Sequence, residues 1–263
     1  GALRVVRRVW LVVLGLLAAQ PLLAAQLIKV GAYHFPPYVS KPEAEQAQGL
    51  LPDLLATLNA QQSDYQFVLV PTSVTRRFRD FQSARYDLIM FESPTWGWQN
   101  TPHETFDLQV QDAEVYVAKA AAGRGQEYFS QFSGKRLALY NGYHYGFAQF
   151  NADPEYLAKQ FNAVLTYSHD SNLLMVLRER ADLTVVTRSY LHRYLLRYPE
   201  QRTQMLVSDR VDQVYRHQAL LRPNAPISVE GLRGLLRQLR DGGQLSALYR
   251  QYDLTQSRKV ARP

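Results

Sequence analysis

Tyr86-Asp87-Leu88-Ile89-Met90-Phe91 sets the fold of this chain. After Asp87 the apolar residues run on without alternation. A strand with one wet face alternates apolar with polar side chains, so an unbroken run marks a strand covered on both faces, as in a parallel sheet. Upstream lies a helical stretch, Val74 to Ser83, with Val74, Phe78 and Phe81 on one side. Before it, Tyr65 to Val70 reads as a strand. Gly49-Leu50-Leu51-Pro52-Asp53 opens another helix, with Pro52 in its first turn and Leu54, Leu55 and Leu58 as its apolar face. Leu27 to Gly31 is a first strand, and Ala32 to Val39 is a loop stiffened by Pro36 and Pro37. Strands alternating with helices imply an α/β sheet.

The pattern repeats downstream. Ala113 to Ala118 is a strand and Ala120 to Gln126 a loose connector. Lys135 to Tyr140 is a strand whose turn, Asn141 to Gly146, leads into a helix. Ala163 to Tyr167 follows, then a helix capped by Ser171 that carries Leu173, Leu174 and Leu177. Ala181 to Thr187 is a strand, Arg188 to Tyr198 a helix, and Val214 to Leu221 a strand. Two C-terminal helices run Ser228 to Asp241 and Gln244 to Tyr252. The halves share a plan without a sequence repeat.

Several pieces then fall in a familiar order: Val30-Gly31 with Pro36-Pro37-Tyr38, Gly49 to Leu55, Ala84 to Met90, Phe132 to Leu139, Glu179 to Val186, and Asp241 to Tyr249. In this order they resemble the extracellular solute-binding protein family 3, the type II periplasmic binding proteins that serve polar amino acid importers. The resemblance implies an α/β, two-lobed periplasmic binding protein-like fold. Each lobe would be a mixed, mostly parallel sheet flanked by helices, and two crossover hinge strands near Val115 and His217 would join the lobes. The expected division is a signal peptide at 1–25, a discontinuous lobe 1 at 26–118 plus 214–263, and lobe 2 at 119–213.

The first 25 residues read as an export signal. Arg4, Arg7 and Arg8 precede the apolar run Val9 to Ala19, which is short for a bilayer span of roughly 20 residues. Pro21 breaks the run, and Ala24-Ala25 offers a cleavage site. A periplasmic protein with its signal removed is expected. The 263 residues contain no cysteine, which excludes disulfides, thiolate catalysis, Cys-ligated metals and a lipid anchor on an N-terminal Cys. The net charge of +7 falls to about +2 without the leader and the tail beyond Tyr252. No basic stripe with interleaved aromatics is present, so nucleic acid is not an expected partner.

In open α/β sheets, ligands bind beyond the carboxyl ends of strands. Four segments qualify here. Tyr33, Phe35 and Tyr38 offer rings either to a flat ligand or to lobe packing. Phe91, Glu92, Ser93, Thr95, Trp96 and Trp98 follow the third strand. Family members that bind free amino acids carry a carboxylate-binding Arg near Trp98 or Gln99, and this chain has none between Arg85 and Arg124. Glu92 stands where small hydroxyl residues are common; it can hold a cationic group, or serve as a solvated loop acid or as the partner of an Arg from lobe 2. Tyr143, His144 and Tyr145 fill the turn after the predicted strand Lys135 to Tyr140, and Thr187-Arg188 replaces the usual ammonium-binding Asp.

Both usual amino-acid anchors are therefore missing, and a small polar or aromatic ligand is expected in an atypical pocket. No His-Glu-x-x-His, Gly-x-Ser-x-Gly or phosphate loop occurs, and the six histidines are scattered. No catalytic residue, metal or cofactor is expected. If the chain were a dehydratase-type enzyme, as some proteins of this fold are, Glu92 and His144 would be its acid and base. The expected partners are the small molecule and an inner-membrane ABC permease, or alternatively a membrane sensor receptor, with the chain itself a monomer.

Overall fold

The computed structural model describes residues 24–256. The expected signal peptide therefore lies outside the described residues except for Ala24 and Ala25. Strands β1 (Gln26–Ala32), β2 (Tyr65–Pro71) and β3 (Leu88–Glu92) alternate with helices α1 (Leu50–Gln61) and α2 (Arg77–Gln82). Strand β1 runs parallel to both β2 and β3. All five residues of β3 are buried, the four from Leu88 to Phe91 as their unbroken apolar run requires, and Glu92 with them.

Two adjacent residues explain how this lobe is pinned. The Tyr86 ring lies against Gly31, where any Cβ would come within 2.7 Å of it, so only glycine fits there. Asp87 is buried and accepts the Lys29 amide at 2.8 Å. It also accepts Arg222 Nε at 3.0 Å and Nη2 at 2.9 Å. One carboxylate thus ties β1, the start of β3 and the chain beyond the last long strand.

The second lobe holds β5 (Leu137–Tyr140), β6 (Ala163–Thr166) and β7 (Leu183–Thr187), with α3 (Pro154–Phe161), α4 (His169–Leu177) and α5 (Arg188–Arg197). The helix expected straight after the Asn141–Gly146 turn is only a 3-10 turn at Gly146–Ala148. Helix α4 starts earlier than read: Ser168, not Ser171, is its N-cap and accepts the Ser171 amide at 3.1 Å.

Between the lobes run β4 (Glu104–Lys119) and β8 (Met205–Leu221), far longer than the sequence suggested. They pair antiparallel along their length, from Glu104 against Leu221 to Lys119 against Met205. The register shifts near Gln111 and again around Val115, and such bulges bend a ribbon. The sheet order is β2-β1-β3-β8-β4-β7-β5-β6, with β9 (Thr255–Gln256) beside β4. Helices α6 (Val229–Asp241) and α7 (Gln244–Gln251) return to the first lobe, where both contact α1. One hydrophobic cluster continues across the seam, from Ile28 and Phe35 to Tyr143 and Leu183, so the lobes stand closed on each other.

Removing the Asp87 carboxylate leaves a buried amide and the Arg222 guanidinium without their acceptor. Asp87→Ala is expected to lower unfolding stability by about 2–4 kcal/mol in urea titrations. A loss below about 0.5 kcal/mol would remove this residue from the account of the fold.

Candidate ligand site at the seam between the lobes

Phe35 is the hub of the seam. Its ring centroid lies 5.6 Å from Tyr33, 6.1 Å from Trp96 and 5.8 Å from Tyr143, the last two edge to face. Tyr215, on β8, closes the ring set at 6.1 Å from Phe35 and 4.8 Å from Trp96. Tyr143 comes from the second lobe, so Phe35 and Tyr143 meet across the gap. The loops are held close by two glycines with positive φ. Gly142 abuts Val74, where a Cβ would come within 2.7 Å, and Gly97 abuts His144 and Phe78.

These residues enclose a cavity of only about 10 Å³. That is room for roughly one water, against roughly 300 Å³ or more for a small-molecule site. The closed seam is therefore filled by its own rings.

The charge at the seam is internal, and Glu92 is neither a solvated acid nor paired with an Arg of lobe 2: its partner, Arg77, comes from its own lobe. Arg77, from the start of α2, donates through Nε to Glu92 at 2.8 Å and also bonds the Val74 carbonyl. Its guanidinium lies over the Tyr33 ring at 4.7 Å and the Phe78 ring at 4.5 Å. The other Glu92 oxygen accepts the Trp98 indole at 2.8 Å. Arg77 and Glu92 are 2% and 0% exposed. Burial pushes the Glu92 carboxyl up, and the Arg77 charge with the donated hydrogen bonds pulls it back. A bulge in β3 aims Glu92 inward: the register against β8 shifts there, and Phe91 takes φ 59°, uncommon for a bulky side chain.

Below the rings lies a hydrogen-bonded hinge. The Tyr38 hydroxyl donates to Asp112 of β4 at 2.6 Å. The same carboxylate accepts the Ser189 hydroxyl and amide from α5 and the Ala113 amide at 2.9 Å. His217 Nε2 meets the Tyr38 oxygen at 2.6 Å; with the Tyr38 proton given to Asp112, the imidazole is the donor. Gln213 of β8 spans the lobes with its whole amide. It accepts Trp96 Nε1 at 3.0 Å and donates to Glu114 at 2.6 Å and to the His144 carbonyl at 2.7 Å. Burial, then the Asp212 charge, pushes the Glu114 carboxyl well up.

The candidate residues separate into groups. Tyr33, Phe35, Trp96, Tyr143 and His144 line the cavity. Tyr38 lies under Phe35 in the hinge, Phe91 stacks on Tyr38 at 5.0 Å, and Glu92 and Trp98 hold Arg77. Ser93 and Thr95 bond each other at 2.7 Å, with Thr95 exposed at the rim. Tyr145 is buried and supports the turn by accepting the Tyr140 amide at 2.9 Å. Thr187 caps α5, and Arg188 points to solvent.

Sequence reasoning missed Arg77, Asp112, Gln213 and Tyr215. Position 77 falls on the apolar stripe of Val74, Phe78 and Phe81, and a charge on such a stripe is a readable signal. Gln213, Tyr215, His217 and Ala219 share one strand face at period 2.

No protein-family model and no curated protein matches this sequence. Solved structures do match. An ancestral arginine-binding protein bound to arginine superposes with TM-score 0.65 at 14% identity, covering 88% of this chain and all of the other. An ancestral amino acid-binding protein, a precursor of cyclohexadienyl dehydratase, gives TM-score 0.63 at 17% identity over 86% of this chain and 94% of that one. A histidine kinase sensor domain with similarity to periplasmic binding proteins gives 0.64 at 16%, over 89% and 98%. The fold of this chain is thus that of the two-lobed periplasmic binding proteins.

His169 is buried among Tyr140, Tyr143 and Tyr190, with ring centroids at 4.8 to 5.2 Å. Burial lowers its pKa to about 3. Its unfolded value is about 6.5, so the stability tied to its neutral form is whole above that pH and drains away as pH falls toward about 3. In His169→Phe, the slope of unfolding free energy between about pH 6 and 4 should be shallower by up to about 1.4 kcal/mol per pH unit. Equal slopes in urea titrations of both proteins would show that His169 is not held neutral.

Proposed function

We propose that this chain is an exported solute-binding protein of the periplasm that closes on a small polar or aromatic molecule at the seam. The observation that carries the reading is the meeting of Phe35 and Tyr143 from opposite lobes over one cavity, beside the crossover strands. Parting and reclosing of lobes about a two-strand tether is a standard ligand-gated motion. In this reading lobe 1 comprises 26–118 plus 214–263 and lobe 2 comprises 119–213, after loss of the leader at 1–25. The bound solute is handed to an inner-membrane ABC permease by a free monomer. The likeness to a sensor domain supports a signalling destination equally well, and the neighbouring membrane partner decides between them. Binding without turnover fits a seam whose acid is committed to Arg77 and whose imidazole burial holds at a pKa of about 4.

Free α-amino acids should bind weakly, because the Arg of the seam already holds Glu92 and the described residues lining the cavity include no carboxylate for an ammonium group. A thermal-shift screen over amino acids, polyamines, aromatic acids and short peptides should yield hits outside the twenty amino acids, since a ligand of the native state raises the melting temperature. Quenching of tryptophan fluorescence by a hit should fade in Trp96→Phe with at least about tenfold weaker binding, a cost of about 1.4 kcal/mol. Sub-micromolar binding of a standard amino acid, or hits indifferent to Trp96→Phe, would refute this reading.

A further inference from the structure

Three features of the seam limit what it can hold. The first is shape: the gap between Phe35 and Tyr143 opens between rings, and rings accept a flat face. The second is charge. Arg77 and Glu92 cancel each other within 2.8 Å, both out of water. Asp112 is taken by four donors from Tyr38, Ser189 and Ala113. Glu114 is engaged by Gln213 one layer behind the rings. Arg77 lines the cavity, but Glu92 already balances its charge, so among the described lining residues a charged group on the guest would meet no free counter-charge and would lose its hydration.

The third feature is polarity without partners. The Tyr143 hydroxyl and His144 Nδ1 are both buried and make no hydrogen bond within the protein. Both residues line the same cavity, and Tyr143 is 8% exposed. Buried polar groups are nearly always satisfied, and orphans mark a place where something else bonds them. Burial lowers the His144 pKa to about 4, so its ring is neutral near pH 7. Neutral donors and acceptors call for a neutral partner.

We infer that the seam takes an uncharged planar ring compound bearing one amide-like hydrogen-bonding edge, with Tyr143 and His144 as its polar anchors and the Arg77–Glu92 pair as the filter against charged analogues. This rests on the seam being the ligand site. The selectivity is the reverse of a zwitterion binder's.

Calorimetry on the mature protein with four probes of one ring tests it: benzamide, benzoate, benzylamine as its ammonium cation, and L-phenylalanine. Benzamide should bind at least tenfold more tightly than the other three. Tyr143→Phe should weaken benzamide about fivefold or more and leave the melting temperature of the free protein unchanged or higher, because the deleted hydroxyl has no partner to lose. Glu92→Gln, if it folds, should shift preference toward benzoate by freeing Arg77. The inference fails if a charged probe equals benzamide, if none of the four binds, or if Tyr143→Phe lowers the melting temperature and spares affinity. In any of those cases the seam still stands as the ligand site if a screening hit loses binding in Trp96→Phe; if no compound depends on Trp96, both fall together.

Discussion

The antiparallel pairing of β4 with β8 is the constraint on which the molecule depends. Among the described residues these two strands make the chain connections between the lobes, and they run side by side through the centre of the sheet. A two-strand ribbon interrupted by register shifts can bend, where a broad sheet cannot. Its residues also carry the hinge chemistry: Asp112 and Glu114 from β4, Gln213, Tyr215 and His217 from β8. The ribbon therefore fixes both the axis of closure and the floor of the site.

Closure brings unlike surfaces together. At the mouth, bare glycine backbones meet Val74 and His144, so the fit is close. In the middle, rings from both lobes pack edge to face, a geometry that favours aromatic contact beyond its buried area. At the base, Asp112 joins Tyr38 of one lobe to Ser189 of the other through one carboxylate. A buried acid is costly unless every lone pair is used, and here donors from both sides use them. The closed arrangement is thereby specific: a displaced lobe would strand that charge.

The same economy shapes the seam. Arg77 would be an anion receptor if left open, and Glu92 a cation receptor. Placed together by the bulge at Phe91, they form a neutral unit with Trp98 and Tyr33 around it. What faces the cavity is rings, uncharged polar atoms and an Arg77 whose charge Glu92 already balances. In the proposed reading, that separates this site from a zwitterion pocket while the scaffold stays the same.

Much of the scaffold was legible in the sequence. Unbroken apolar runs such as Leu88 to Phe91 and the leucine stripe of α1 report burial directly, because local period and side-chain type decide it. The rings at Tyr33, Phe35, Trp96 and Tyr143 could be named from their places after strands. The extent of β4 and β8 was not legible: Glu104 to Asp112 and Met205 to Gln213 are rich in polar residues, and each is a strand only because the legible half of the other strand lies beside it, Tyr215 to Leu221 against the first and Glu114 to Lys119 against the second. A charge on the apolar stripe at position 77 and an ion-pair role for Glu92 could be read, but not that these two pair with each other beside Trp98, since pairing between buried side chains depends on distances across elements that no local pattern encodes. Sequence alone determined which segments must be buried and in what order; only the tertiary structure decided which charges cancel and which polar groups are left for a guest, because hydrogen bonds and ion pairs are settled in three dimensions.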